Sequence, residues 1–133
     1  MVVNVSTVLR TFLLADATLV ARIGTHLYSS RLPKGYAITS DAISYFNIGG
    51  DSPTLVVEDK SNDYQFDCWG ETLLDAQTTF GLLYDALHSM SNETVGTDKL
   101  LYSELTSGPQ DIIDPDTQTW FRVMSTFHVI ARD

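Results

Sequence analysis

Apolar and polar positions alternate from Tyr64 to Trp69, with Tyr64, Phe66 and Cys68 on one side and Gln65, Asp67 and Trp69 on the other. That is the period of a strand. Gly70 ends the alternation. Thr72 then offers a helix N-cap with Asp75 beyond it, and Leu73, Ala76, Phe80, Leu83 and Leu87 recur at helical spacing as one apolar stripe. A strand therefore runs directly into an amphipathic helix that can fold back over a sheet. The unit carries no catalytic residue set and reads as framework.

The same reading extends along the chain. Asn4 or Ser6 can cap a first helix whose apolar face is Val8, Leu9, Phe12 and Leu13; Asp16 can cap a second, short helix through Ile23, closed by Gly24. Residues 26–28 read as a short strand. Residues 33–53, punctuated by Gly35, Gly49, Gly50, Asp51 and two prolines, read mostly as a long loop. Residues 54–58 are a strand candidate, residues 59–63 a polar turn, and together with residues 64–69 they suggest an antiparallel hairpin. After the helix, residues 91–97 read as a linker, 99–105 as a strand, 107–109 as a turn, 110–113 as extended and 114–116 as another turn. The final segment, 119–131, is the longest strand candidate. Phe121, Val123, Phe127, Val129 and Ala131 form its core side; Trp120, Arg122, Met124, Thr126 and His128 form a mixed side. The expected class is α+β: an antiparallel sheet of about four strands packed against one long helix and the N-terminal helices, with a long loop between the first strand and the hairpin.

Length and composition narrow the picture. A chain of 133 residues is one domain, and its 44% hydrophobic content suits a folded core. The single cysteine excludes an internal disulfide and a cysteine-based zinc site. The apolar run 12–21 is broken by Asp16 and lacks a small-residue cleavage site before Arg22. No run approaches the ~20 apolar residues of a membrane span, so a soluble protein with no membrane partner is expected. The net charge of -9 repels nucleic acid at long range.

Chemistry is sparse. His26, His88 and His128 lie far apart on different expected elements, so convergence on a metal is not indicated. Cys68 shares a face with Tyr64 and Phe66, the position of a small core hydrophobe, and has no local base or oxyanion donor. Glu58-Asp59-Lys60, with Asp41 or Asp51 upstream, has the outline of a metal-dependent nuclease motif, against the simpler reading of a solvated turn. Asp111, Asp114 and Asp116 lack the alternation, glycine and distal glutamate of a calcium loop. Phosphate-binding glycine motifs and a nucleophile elbow are absent. No catalytic residue, cofactor site or metal site is expected.

Several stretches, in this order and spacing, resemble the tail terminator family of long-tailed bacteriophages, also called tail completion or tail-to-head joining proteins. They are Leu13-Leu14-Ala15-Asp16-Ala17 with Ile23-Gly24; Leu27-Tyr28; Arg31-Leu32-Pro33; Pro53 leading into Leu55-Val56-Val57; Phe66-Asp67-Cys68-Trp69-Gly70 with Asp75-Ala76; and Thr119-Trp120-Phe121-Arg122 heading Phe127-His128-Val129. Residues 37–51 stand outside the resemblance, as an insertion. The resemblance implies a non-enzymatic subunit of a hexameric ring at the head-proximal end of the tail tube. Such a ring stops tube polymerisation, contacts the tail tube protein and the head-tail connector or neck protein, and lets DNA pass without specific binding. It implies a place in the virion, with assembly in the host cytoplasm. Another phage neck or head-completion component is the alternative, and the nuclease a third. Candidate contact residues are Tyr36, Ile43, Tyr45 and Phe46 in the long loop and Trp120, Arg122 and Met124 on the mixed side of the last strand; for Trp120 a core position competes.

Overall fold

The computed structural model describes residues 4–30, 32–33, 40–50, 59–88, 90–113 and 121–132. Helix α1 (Val5–Leu14) is capped by Asn4, whose side chain accepts from the Thr7 N–H, and α2 (Ala17–Ile23) is capped by Asp16, which accepts from Leu19 N–H. Each cap satisfies an N–H that the helix itself leaves open. Gly24 ends α2 at φ 60°, a conformation that a side chain would resist. Strand β1 (Leu27–Ser29) follows, then β2 (Ala42–Gly50) and β3 (Asp59–Gly70). Helix α3 (Leu73–Leu87) is capped by Thr72, which accepts from Asp75 N–H. Strands β4 (Met90–Val95), β5 (Asp98–Ile113) and β6 (Phe121–Arg132) complete the described elements.

The strands form a six-stranded sheet in the order β1-β2-β3-β6-β5-β4. Only β1–β2 is parallel; the other four pairings are antiparallel. The three helices cover one face and share a single core with it. Tyr45 stacks on Phe66 at 5.4 Å, and Phe66 meets the edge of Phe127 at 5.5 Å. Leu9, Leu13, Leu83 and Leu87 belong to the same core cluster and are fully buried. Burying a side chain of this size stabilises the fold by roughly 1.5–3 kcal/mol each. Two polar groups under the helices find partners, the Tyr45 hydroxyl donating to Ser6 O at 2.7 Å and Thr79 Oγ1 to Asp75 O at 3.1 Å. Arg22 ties three elements together, meeting Asp41 at 2.6 Å just before β2 and Asp75 at 3.1 Å in the first turn of α3.

The α+β class holds, with both N-terminal helices and the last strand where the patterns put them, but the sheet has six strands among the described residues where about four were expected, because β2 and β4 carry no alternation to read. Five local expectations change. The loop assigned to residues 33–53 contains β2. Residues 59–63 are not a turn: they open β3 and pair with β6. Residues 64–69 are flanked by β2 on one side and β6 on the other, so a hairpin with residues 54–58 has no free edge to use; residues 54–58 themselves lie outside the described residues. Residues 91–97 are not a linker, because most of them form β4. The expected turn at 107–109 is a register shift inside β5, with Ser107 opposite Thr126 and Gln110 opposite Met124. The expected turn at 114–116 lies outside the described residues.

Candidate functional site

Because side chains alternate across a strand, the helix-covered face accounts for only half of each strand. The other face carries no helix among the described elements. Its middle is built by β3 and β6: Trp69 faces Arg122, Asp67 faces Met124, Gln65 faces Thr126 and Asp63 faces His128. Ser44 and Phe46 of β2 lie beside Asp67 and Gln65, and Glu104 of β5 lies beside His128.

The polar groups on this face pair sideways rather than pointing freely outward. Trp69 Nε1 donates to Ser44 Oγ at 3.0 Å, and the Arg122 guanidinium lies 5.4 Å from the Trp69 ring centre. Arg122 also meets Asp67 Oδ2 at 3.5 Å, while Gln65 Nε2 reaches both Asp67 oxygens at 3.3 and 3.4 Å. Burial pushes the Asp67 carboxyl above the ordinary range, and the charge of Arg122 and the hydrogen bond from Gln65 pull it back. The indole, guanidinium and carboxylate, with the Ser44 hydroxyl, therefore form one braced row across β2, β3 and β6.

A second cluster has the order of a nucleophilic triad. His128 Nδ1 lies 2.7 Å from Asp63 Oδ1, and His128 Nε2 lies 2.8 Å from Ser61 Oγ. With an ionised Asp63, the imidazole donates through Nδ1. Hydrolysis would further require donors preorganised for a developing oxyanion. Ser61 lies within the β3–β6 ladder, and the described helix N-termini are on the opposite face. The cluster reads as a cross-strand hydrogen-bonded set, which holds β3 to β6.

Other groups with chemical potential are occupied. Asp41, one of the acids that a nuclease reading needs, is held by Arg22. Glu58 and Asp51 lie outside the described residues, and Asp59 and Lys60 open β3. Asp111 accepts from Gln77 Nε2 at 3.1 Å, and Asp114 and Asp116 lie outside the described residues. His88 stacks on Tyr84 at 4.5 Å and accepts from Leu105 N–H through Nδ1. Cys68 is fully buried, and burial pushes its thiol far up. Among the described residues no group of three His, Cys, Asp or Glu side chains could hold a metal.

The candidate contact residues divide. Phe46, Arg122 and Met124 stand together on the open face, half-buried among their neighbours. Ile43 and Tyr45 are corrected: at 0% and 1% exposure they belong to the core, facing the helices, and offer nothing to a partner of the folded chain. Tyr36 and Trp120 lie outside the described residues. The reading by pattern omitted Trp69, Asp67, Asp63 and Ser61. Alternation did place Asp67 and Trp69 on a common side, but only the strand register brings them to Arg122, and Asp63 and Ser61 to His128.

No protein-family model matches this chain, and no curated protein does. A solved structure does. The fold is shared with a chain of a gene transfer agent virion. That structure, the virion of the native gene transfer agent particle, superposes at a TM-score of 0.66, covering 97% of this chain and 92% of the other, at 17% identity. An overlap of nearly both whole chains makes this a likeness of complete domains; at that identity it speaks for fold.

Proposed function

We propose that this protein is a structural subunit of a phage or phage-derived virion and that its activity is assembly rather than catalysis. The near-complete fold overlap with a chain of a gene transfer agent virion carries this reading. Within that class, the resemblance in the stretches around Leu13–Asp16, Leu27-Tyr28 and Phe66–Gly70 favours the tail terminator: a hexameric ring at the head-proximal end of the tail tube, between tube protein and head connector. The open sheet face, with Phe46, Arg122 and Met124 at its centre, is the surface assigned to subunit or tube contacts. Its central charges, Arg122 and Asp67, already pair with each other, so covering that part strands neither ion. A net charge of -9 per subunit suits a ring through which DNA passes without adhering.

The test is removal of the gene from a particle-producing cell, with micrographs of the resulting tails. Tubes of uncontrolled length that fail to join heads, restored by supplying the protein in trans, are the expected outcome. Tails of normal length joined to heads in its absence refute the terminator role. Normal tails with defective, leaking heads would move the subunit to another part of the neck.

A further inference from the structure

The sheet ends in β4, whose outer edge pairs with nothing among the described residues. Ser91, Asn92, Glu93 and Thr94 are all exposed, and the strand holds neither lysine nor proline, the residues that usually blunt an edge. Asn92 sits at φ 52°, which confines the regular part of the edge to the residues after it. Beside that part lies a groove of about 420 Å³ between the end of α1 and the β4–β5 turn, lined by Thr11, Phe12, Asp16, Glu93, Val95 and Gly96, among others.

Two features of this groove favour a basic side chain. Asp16 and Glu93 both line it, Asp16 with one carboxylate oxygen already capping α2 through Leu19 N–H. Phe12 and Val95 supply an apolar wall of the kind that packs the methylene stem of an arginine or lysine. The chain itself is poorly placed to supply that cation from a second copy. It has eight basic residues against seventeen acidic ones, and Arg10, Arg22 and Arg122 are engaged internally, with Leu27 O, with Asp41 and Asp75, and with Asp67.

We infer that β4 and the adjoining groove form a docking site for an extended segment of a different protein, which adds a strand along residues 93–95 and places an arginine or lysine between Asp16 and Glu93. Main-chain pairing would supply affinity and the acidic groove the specificity, the division of labour general to strand addition. This deepens the reading of the chain as an assembly subunit by naming the chemistry of one partner.

The probe is a capped pentapeptide, Thr-Val-Arg-Val-Thr, compared with the same peptide carrying citrulline, which keeps the shape of arginine and removes its charge. Both are titrated into the full, isotopically labelled chain and followed by backbone amide shifts. The arginine peptide should shift the amides of residues 11–16 and 93–96 saturably, and citrulline should weaken binding about tenfold, the order expected for losing a charge-assisted hydrogen bond. The variant Asp16→Asn/Glu93→Gln should lose the same factor; asparagine keeps the helix cap, so the fold is retained. The single change Glu93→Gln, at an exposed edge position, serves as the second variant. Absence of saturable shifts, equal binding of both peptides, or shifts confined to other regions would overturn the proposal. None of these outcomes bears on the tail-length test above, so the two can fail separately.

Discussion

Two glycine-to-alanine changes in one strand-to-helix unit should move stability in opposite directions. Gly70 closes β3 where the chain turns into α3. A Cβ placed there would lie 2.7 Å from Ala76 N, 2.9 Å from Asp75 Cβ and 3.1 Å from Thr72 O. The first is backbone and the second is fixed to it, in a turn held by the Thr72 cap and by Arg22 on Asp75. No side-chain rotation relieves that contact, so α3 must shift from the sheet. Overpacking of this kind costs about 1–3 kcal/mol. Gly81, within α3, meets nothing within 4 Å of its hypothetical Cβ. There alanine gains helix propensity, and about 0.5–1 kcal/mol of stability is expected. Both changes restrict the unfolded chain alike, so their difference, roughly 1.5–4 kcal/mol, reports native geometry. With an unfolding entropy of about 2.1 cal/mol/K per residue, 1 kcal/mol corresponds to about 3–4 °C for a chain of this length. Gly81→Ala should therefore melt about 2–4 °C higher than the parent and Gly70→Ala roughly 4–11 °C lower. Circular dichroism melts at one fixed protein concentration, which holds any oligomerisation constant, measure both. A Gly70→Ala protein as stable as the parent would refute the account of how α3 is seated.

Two further outcomes follow from the buried core. Tyr45→Phe removes the donor to Ser6 O and should cost about 0.5–1.5 kcal/mol at neutral pH by urea unfolding. Burial pushes the Tyr45 hydroxyl up to about 12. Between pH 10 and 12 the unfolded chain therefore loses a proton that the folded one keeps, the parent loses stability, and the gap to the variant should narrow; a constant gap counts against the burial argument. Cys68, fully buried with its thiol pushed up, should resist a water-soluble thiol reagent at pH 8 until the chain unfolds, and labelling at the rate of a free thiol would contradict its placement.

How far sequence patterns reached depended on whether a segment has one wet and one dry side. The helices α1 and α3 and strand β6 do, and their spacing declared them. Strand β2 does not: Ala42, Ile43, Ser44 and Tyr45 are all buried, Ser44 because Trp69 reaches over it, so no alternation exists to read. The paired glycines at its end added a false loop signal. Strand β4 fails for the opposite reason, since Ser91 to Thr94 are all exposed at the sheet edge. The polar start of β3 looked like a turn because Asp63 and Ser61 find their partner, His128, 65 and 67 residues away. The open-face cluster is hidden in sequence on the same ground: it exists only through the β3–β6 register. The family resemblance pointed to a virion protein without these details, because matching stretches around Leu27-Tyr28 and Phe66–Gly70 report framework positions.

The place of β6 sets a timetable for the molecule. It is the last described element, yet it lies between β3 and β5, at the centre of the sheet. During synthesis the inner edges of β3 and β5 have no strand between them until β6 emerges; α3, packed against both, spans the gap, and a chain cut short before β6 would leave two long inner edges bare. Until β6 is seated those edges are open to wrong pairing, so an orderly sheet exists for assembly only once that strand has joined its two halves.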